Sequence, residues 1–277
     1  MSAVASATHR PLVLGRDARR FWHLTWTLAT TDFKLRFYGS ALGYAWTLVR
    51  PFAFFGVIWF VFSEIVHAGA GVKNYSAYIL MSLVLFQFFL GITTTSLSSL
   101  VDRQNLLRKM PFPRLVIPLA VTLGGLFDLA MTMIAVFIFL AISGVYPTWS
   151  WLELIPLVAI LMVFATGLGL LLSVLFVRFR DMKPIWDVAG QMLFYASPVL
   201  YVATAVPAEY MRPYLANPIA TVLTQMRHAV VDPTAATAAE AIGSTARLLI
   251  PAGIVVVVCL LGIWAFIREA PRVAENL

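Results

Sequence analysis

The sequence predicts an all-α integral membrane protein: six transmembrane helices, an N-terminal amphipathic interface helix, and short re-entrant helices in the last outer loop. Three observations carry this reading. Of 277 residues, 61% are hydrophobic and 12% charged, whereas soluble domains average about 25% charged. Four windows, 74–101, 154–177, 188–208 and 248–267, contain no charged residue, and a helix needs about 20 apolar residues to cross about 30 Å of hydrocarbon. Lysine and arginine also alternate between a rich and a poor side as the chain passes from one apolar window to the next. The apolar runs are too long for membrane strands and lack a period of two.

The elements follow in order. Residues 1–45 form a head without the apolar core and small-residue cleavage site of a secretory signal, so it is expected to be retained. Within it, Arg16, Arg20, His23, Thr27, Thr30 and Lys34 recur at spacings of three and four, and Trp22, Trp26, Ala29, Phe33 and Phe37 recur beside them. That pattern describes an amphipathic helix over 16–38 lying in the membrane interface. It is compatible with a passive anchor and with an element that transmits force. Spans are expected at 46–66, 76–100, 115–142, 153–177, 185–203 and 247–267, giving a transmembrane domain over 46–267 and a tail over 268–277.

Sixteen of the twenty basic residues fall on the side of the head, the tail and the even-numbered loops. That side is therefore cytoplasmic, and both termini with it. The net charge of +7 is explained by topology, without a nucleic-acid partner. The loop over 102–114 is short, basic and broken by Pro111 and Pro113, which suits either a short docking helix or an ordinary orienting loop. The last outer loop, 204–246, is divided by Pro207, Pro213, Pro218 and Pro233. Its piece 219–231 carries Val222, Leu223, Met226, Ala229 and Val230 on one side, consistent with a re-entrant helix or a surface cap.

The chemistry of an enzyme is missing. There is no Gly-x-x-x-x-Gly-Lys-[Ser/Thr] phosphate cradle, no His-Glu-x-x-His and no Gly-x-Ser-x-Gly, and Cys259 is the only cysteine. No catalytic residue, metal ligand or cofactor site is therefore assigned. Asp128 is the one ionisable residue deep in a span, where insertion costs about 2.5–3.5 kcal/mol, so it must face protein or water. A proton-coupled carrier or a polar helix contact would both use it.

Several stretches carry a family resemblance: Asp32-Phe-Lys-Leu-Arg-Phe-Tyr-Gly-Ser-Ala-Leu-Gly-Tyr-Ala-Trp-Thr-Leu-Val-Arg-Pro51, Leu106-Leu-Arg-Lys-Met-Pro-Phe-Pro-Arg-Leu-Val-Ile-Pro118, Arg178-Phe-Arg-Asp-Met-Lys183, Ser197-Pro-Val-Leu-Tyr201 and Asn217-Pro218. In this order on six spans, the chain resembles the membrane permeases of the ABC-2-type transporters, specifically the branch that exports O-antigen, capsule and teichoic acid. The resemblance implies a non-catalytic subunit in a bacterial inner membrane, paired with a second copy of itself and with two copies of a separate ATPase that binds ATP and Mg. It implies a lipid-linked polysaccharide as substrate, with drug or lipid efflux, or a membrane-embedded glycosyl or phosphate-group transferase, as the alternatives.

The resemblance also implies residue roles. Leu106, Leu107, Arg108, Lys109, Met110 and Pro111 would couple to the ATPase. Arg20, Trp22, Trp26, Phe33 and Lys34 would belong to the interface helix, and Trp59, Phe86, Phe89, Phe194 and Tyr195 would line the channel.

Overall fold

The computed structural model describes residues 18–37, 43–105 and 113–276. Among them every regular element is helical. α1 is Ala18–Phe37, α2 is Gly43–Trp59 continued by a π turn over Phe60–Ile65, and α3 is Tyr75–Asp102. α4 is Val116–Ile142, α5 is Leu154–Arg178 after a 3-10 turn at Trp149–Glu153, and α6 is Met182–Tyr195. Short helices follow, α7 at Met211–Tyr214, α8 at Pro218–Met226 with a π turn over Arg227–Val231, and α9 at Ala238–Ile242. The last, α10, is Leu249–Asn276.

Five of these helices open alike, with proline as their third residue: Pro118, Pro156, Pro184, Pro213 and Pro251. The first-turn N–H groups of a helix have no partner within it, so proline loses nothing there and its fixed φ suits the helix. Asn217 caps α8 by accepting from the Ile219 amide at 3.0 Å, with Pro218 in the first position. A Thr237–Glu240 capping box starts α9, and Gly243 at φ 85° ends it.

Among the described residues, five helices are long and apolar enough to cross a membrane. Four match the expected spans to within a few residues, and α10 does so at its start but continues as helix to Asn276. The exception is the expected span over 185–203. Its helix, α6, has 14 residues, about 21 Å at 1.5 Å per residue and short of the hydrocarbon thickness. Residues 196–201 continue from it as irregular chain beside α3. The Tyr75 hydroxyl donates to the Leu200 carbonyl at 2.6 Å, and the Tyr78 hydroxyl serves the carbonyls of Pro198 and, at 2.9 Å, Tyr201. Irregular backbone at membrane depth persists where protein groups satisfy it, and α3 supplies those groups.

α3 is the central helix. Its most apolar window is 78% buried, against 17% for α2 and α10 and 28% for α4. α5 packs between α3 and α10, and the three outward-facing helices leave broad apolar surfaces for lipid or a further chain.

The segment between α6 and α10 folds onto the end of the bundle where α3 begins. Val222, Leu223, Met226, Ala229 and Val230 are all buried, as their spacing predicts. Ser150 donates to the Ala229 carbonyl at 2.6 Å, Gln225 to Glu153 at 2.8 Å and Asn74 to the Val231 carbonyl at 3.1 Å. Asp232 closes the π turn, accepting from the Thr234 hydroxyl at 2.6 Å and amide at 3.1 Å, with Arg227 at 3.8 Å. Burial pushes this carboxyl up, but the Thr234 hydrogen bonds and the Arg227 and Lys73 charges outweigh it and hold the group below its ordinary value.

A depressed folded pKa stabilises fully above the ordinary carboxylate range, and the contribution is lost as pH falls below about 4. Hydrogen exchange over 226–236 at decreasing pH should therefore show local opening in that range. Asp232→Asn should be less protected at neutral pH and nearly flat through acid, and an unchanged acid limb in the variant would assign the effect elsewhere.

Candidate functional site

Two features of the bundle bear on function: the attachment of α1 and one exposed face of α3. α1 crosses α4 near Phe127, which meets Trp26 and Phe33 edge-on at centroid distances of 5.5 and 5.7 Å. Beside Ala29 and Phe33 of the expected apolar face, Phe21, Thr25, Leu28 and Asp32 are buried or half-buried, so the packing stripe is broader than that face. Thr25 and Ala29 are buried because close approach to α4 favours small side chains, whereas Trp22 and Trp26 are half exposed on the outside. Indole rings are stable at headgroup depth, so these positions suit an interface helix. Arg20 and Lys34 are exposed, and Phe33 is half-buried. Leu28 packs on a small cluster of Leu100, Ile117, Leu170, Val174 and Phe266, where four spans end together.

Ion pairs tie α1 down. Asp32 accepts from Arg103, and Arg36 donates to Asp128 at 2.5 Å. Asp128 is thus engaged by a cation from α1.

The residues expected to line a channel divide. Phe86 and Phe89 are fully buried inside the chain: Phe86 meets Phe194 edge-on at 5.2 Å, and Phe89 stacks on Phe164 of α5 at 5.2 Å. Phe194 is half-buried, while Trp59 and Tyr195 reach the surface. Aromatic content alone could not separate these cases, because it is blind to which side of α3 each ring occupies.

What α3 exposes instead is polar. α3 and α6 run antiparallel, with Trp186 donating to Thr94 at 3.2 Å, the Cβ position of Gly190 only 2.7 Å from Leu90, and Phe194 against Phe86. One residue past this seam on each helix, the side chains turn to the same side, because the chain directions are opposed. Those positions are Gln87, Gly91 and Thr95 on α3, level with Tyr195, Gln191 and Asp187 on α6. Ser98 and Asp102 extend the stripe to the end of α3, with Ser98 donating to Asp102 at 2.7 Å. Gly91, Thr95, Asp102, Asp187, Gln191 and Tyr195 are exposed, and Gln87 and Ser98 are half-buried.

Polar groups on the surface of a span are costly in lipid, so such a face belongs against water, protein or a polar ligand. The signal was present in the sequence, as amide and hydroxyl residues three and four apart within the charge-free window 74–101. Leu106, Leu107, Arg108, Lys109, Met110 and Pro111, the expected coupling residues, lie outside the described residues.

A bundle of long apolar helices around a buried central one is the build of a multi-pass membrane protein. Residues 23–231 match the ABC-2 type transporter family, and the chain belongs to that family. It is a permease subunit rather than a catalytic enzyme. It is 30% identical over 209 residues to the O-antigen export system permease protein RfbA of Klebsiella pneumoniae, covering 75% of this chain and 80% of that protein. The RfbA protein of Myxococcus xanthus is 26% identical, with 76% and 81% covered, and the polysialic acid transport protein KpsM of Escherichia coli is 23% identical, with 72% and 78% covered.

Proposed function

We propose that this chain is the permease of an ATP-driven exporter that moves a lipid-linked polysaccharide from the cytoplasm across a bacterial inner membrane. Two copies form the pathway, each joined to one copy of a separate ATPase that binds ATP and Mg. The basic end of the bundle, where Arg103, Arg114, Arg178, Arg180 and Arg268 gather, is cytoplasmic, and the ATPase seats on the segment 102–112 there. The short helices over 204–246 are then re-entrant elements at the outer surface.

One observation carries the substrate class: the stripe from Gln87 to Asp102 faced by Asp187, Gln191 and Tyr195. Sugar hydroxyls need donors and acceptors at every step of their passage, and this face offers amides and hydroxyls over about 22 Å of helix. A route for apolar drugs would expose the aromatics, which are turned inward at Phe86 and Phe89. Trp59 and Tyr195 supply ring faces on which sugar C–H groups stack, with Phe194 behind Tyr195 at 5.3 Å.

The test is export of lipid-linked glycan, and glycan-stimulated ATP hydrolysis, by the chain reconstituted with a candidate ATP-binding subunit. Thr95→Val with Gln191→Leu removes two hydrogen-bonding groups worth about 0.5–1.5 kcal/mol each, so export should fall roughly tenfold. Both positions are exposed, so the melting temperature should stay at the parent value. Parent-like export by the double variant would move the glycan path to another face, and the absence of any glycan effect on the parent complex would sink the substrate class.

A further inference from the structure

Asp32 and Arg36 stand four residues apart on one face of α1, yet a different span holds each. Asp32 pairs with Arg103, the residue that follows the last turn of α3. Arg36 pairs with Asp128, twelve residues into α4 and so about 18 Å along it. α3 and α4 are the two spans joined by the segment proposed above to seat the ATPase. One short helix is therefore pinned to the spans on both sides of that segment.

The chemistry of the pairs suits registry better than stability. Partly exposed ion pairs such as these contribute little net stability, and the best-attested use of an ion pair between helices is to fix one alignment of them. Asp128 Oδ1 is buried without a hydrogen-bond partner, so Arg36 is the single group answering this carboxylate among the described residues. If cohesion of α1 were the only requirement, the packing of Ala29 and Leu28 and the edge contacts of Trp26 and Phe33 on Phe127 would supply it without burying a charge.

We infer that the Asp32–Arg103 and Arg36–Asp128 pairs are pins that make α1, the end of α3 and α4 move as one body. Asp32, Arg36, Arg103 and Asp128 are then positioning residues for transport, carrying displacement at the ATPase to the interface helix and to the middle of α4. The inference rests on the proposed function only for the origin of that displacement.

The test uses the full chain with its ATPase in nanodiscs, spin-labelled at Thr27→Cys and Asn105→Cys in a Cys259→Ala background. Both labelled positions are exposed. The distance between labels is read without nucleotide and with ATP trapped by vanadate, while export per ATP hydrolysed is measured in parallel. With the pins intact, the distance should be the same in both states; with Asp32→Asn it should shift or broaden on trapping. Asp32→Asn and Asp128→Asn should each retain hydrolysis and lower export per ATP by about tenfold, a typical loss of coupling between sites. The exchange of charges, Asp32→Arg with Arg103→Asp, should restore both readouts.

A parent distance that changes between states overturns the inference. So do neutral variants with parent coupling, and so does a folded charge exchange that restores neither readout. If the parent complex hydrolyses ATP and exports no polysaccharide, the substrate assignment fails, and the label distance still decides whether the pins hold.

Discussion

Gly262→Leu is expected to separate α10 from α5 and to lower the thermal midpoint of the purified chain by roughly 2–12 °C, at about 2–4 °C per kcal/mol for a chain of this size. A Cβ at Gly262 would lie 2.0 Å from the Gly167 carbonyl oxygen and 2.9 Å from its carbon. The reciprocal position is as tight, since a Cβ on Gly167 would lie 2.7 Å from the Cys259 Cα. Backbone meets backbone here, so no rotamer change relieves the overlap and the helices must move apart. Overpacking of a core costs about 1–3 kcal/mol, and more where backbone shifts. Membrane helices gain little from hydrophobic burial against one another and depend on such close contacts.

The damage should spread, because α10 contributes Phe266 to the cluster that receives Leu28 of α1, and the Cys259 thiol donates to the Val163 carbonyl at 3.1 Å across the same crossing. Gly253→Leu is the control on the same helix, with open space around its Cβ position. Heating in detergent followed by fluorescence-detected size exclusion separates the two. If Gly262→Leu melts with Gly253→Leu, the crossing is not the joint that holds the bundle.

What the sequence could and could not convey follows from where information sits. The bounds of α3 and α4 were legible because charges and turn residues delimit them: the expected span 76–100 became Tyr75–Asp102, and 115–142 became Val116–Ile142. The passage over 185–203 was misread as one helix because hydropathy measures apolar length, while the break after Tyr195 is supported by tyrosines 120 or more residues away. On α1, Ala29, Trp26 and Phe33 of the expected apolar side do pack on the bundle, whereas the burial of Thr25 was not legible, because its packing partner is a protein surface that selects small side chains. On α3, aromatic abundance drew attention to Phe86 and Phe89, although the polar exceptions Gln87, Thr95 and Ser98 mark the exposed side. In a span that is buried on three sides, the residues that violate the apolar rule are the informative ones.

Tyr78→Phe tests the irregular half of that fifth passage by removing one oxygen. The Tyr78 ring is fully buried, and the Arg227 guanidinium lies over it at 5.9 Å, a contact that phenylalanine keeps. Only the hydroxyl is lost, and with it the donor shared by the Pro198 and Tyr201 carbonyls. A buried acceptor left unpaired costs about 1–3 kcal/mol, and no lipid group can replace the donor at this depth. Protection against hydrogen exchange over 196–206 should therefore fall by roughly 5- to 150-fold, the same free energy expressed as a local opening constant.

Exchange in α4 and α10 should stay at parent levels, because neither helix touches this turn through Tyr78. Tyr75→Phe removes the neighbouring bond to the Leu200 carbonyl, and the double variant should lose more than the sum of the two, since both hydroxyls hold one turn. Export should fall alongside, because the turn fixes how far α6 lies along α3 and so which of its residues stands level with Gln87, Gly91 and Thr95. Unaltered exchange over 196–206 in Tyr78→Phe would mean that the turn is held by Asn217, which donates to Ser197 at 2.9 Å, and that α3 is only a bystander.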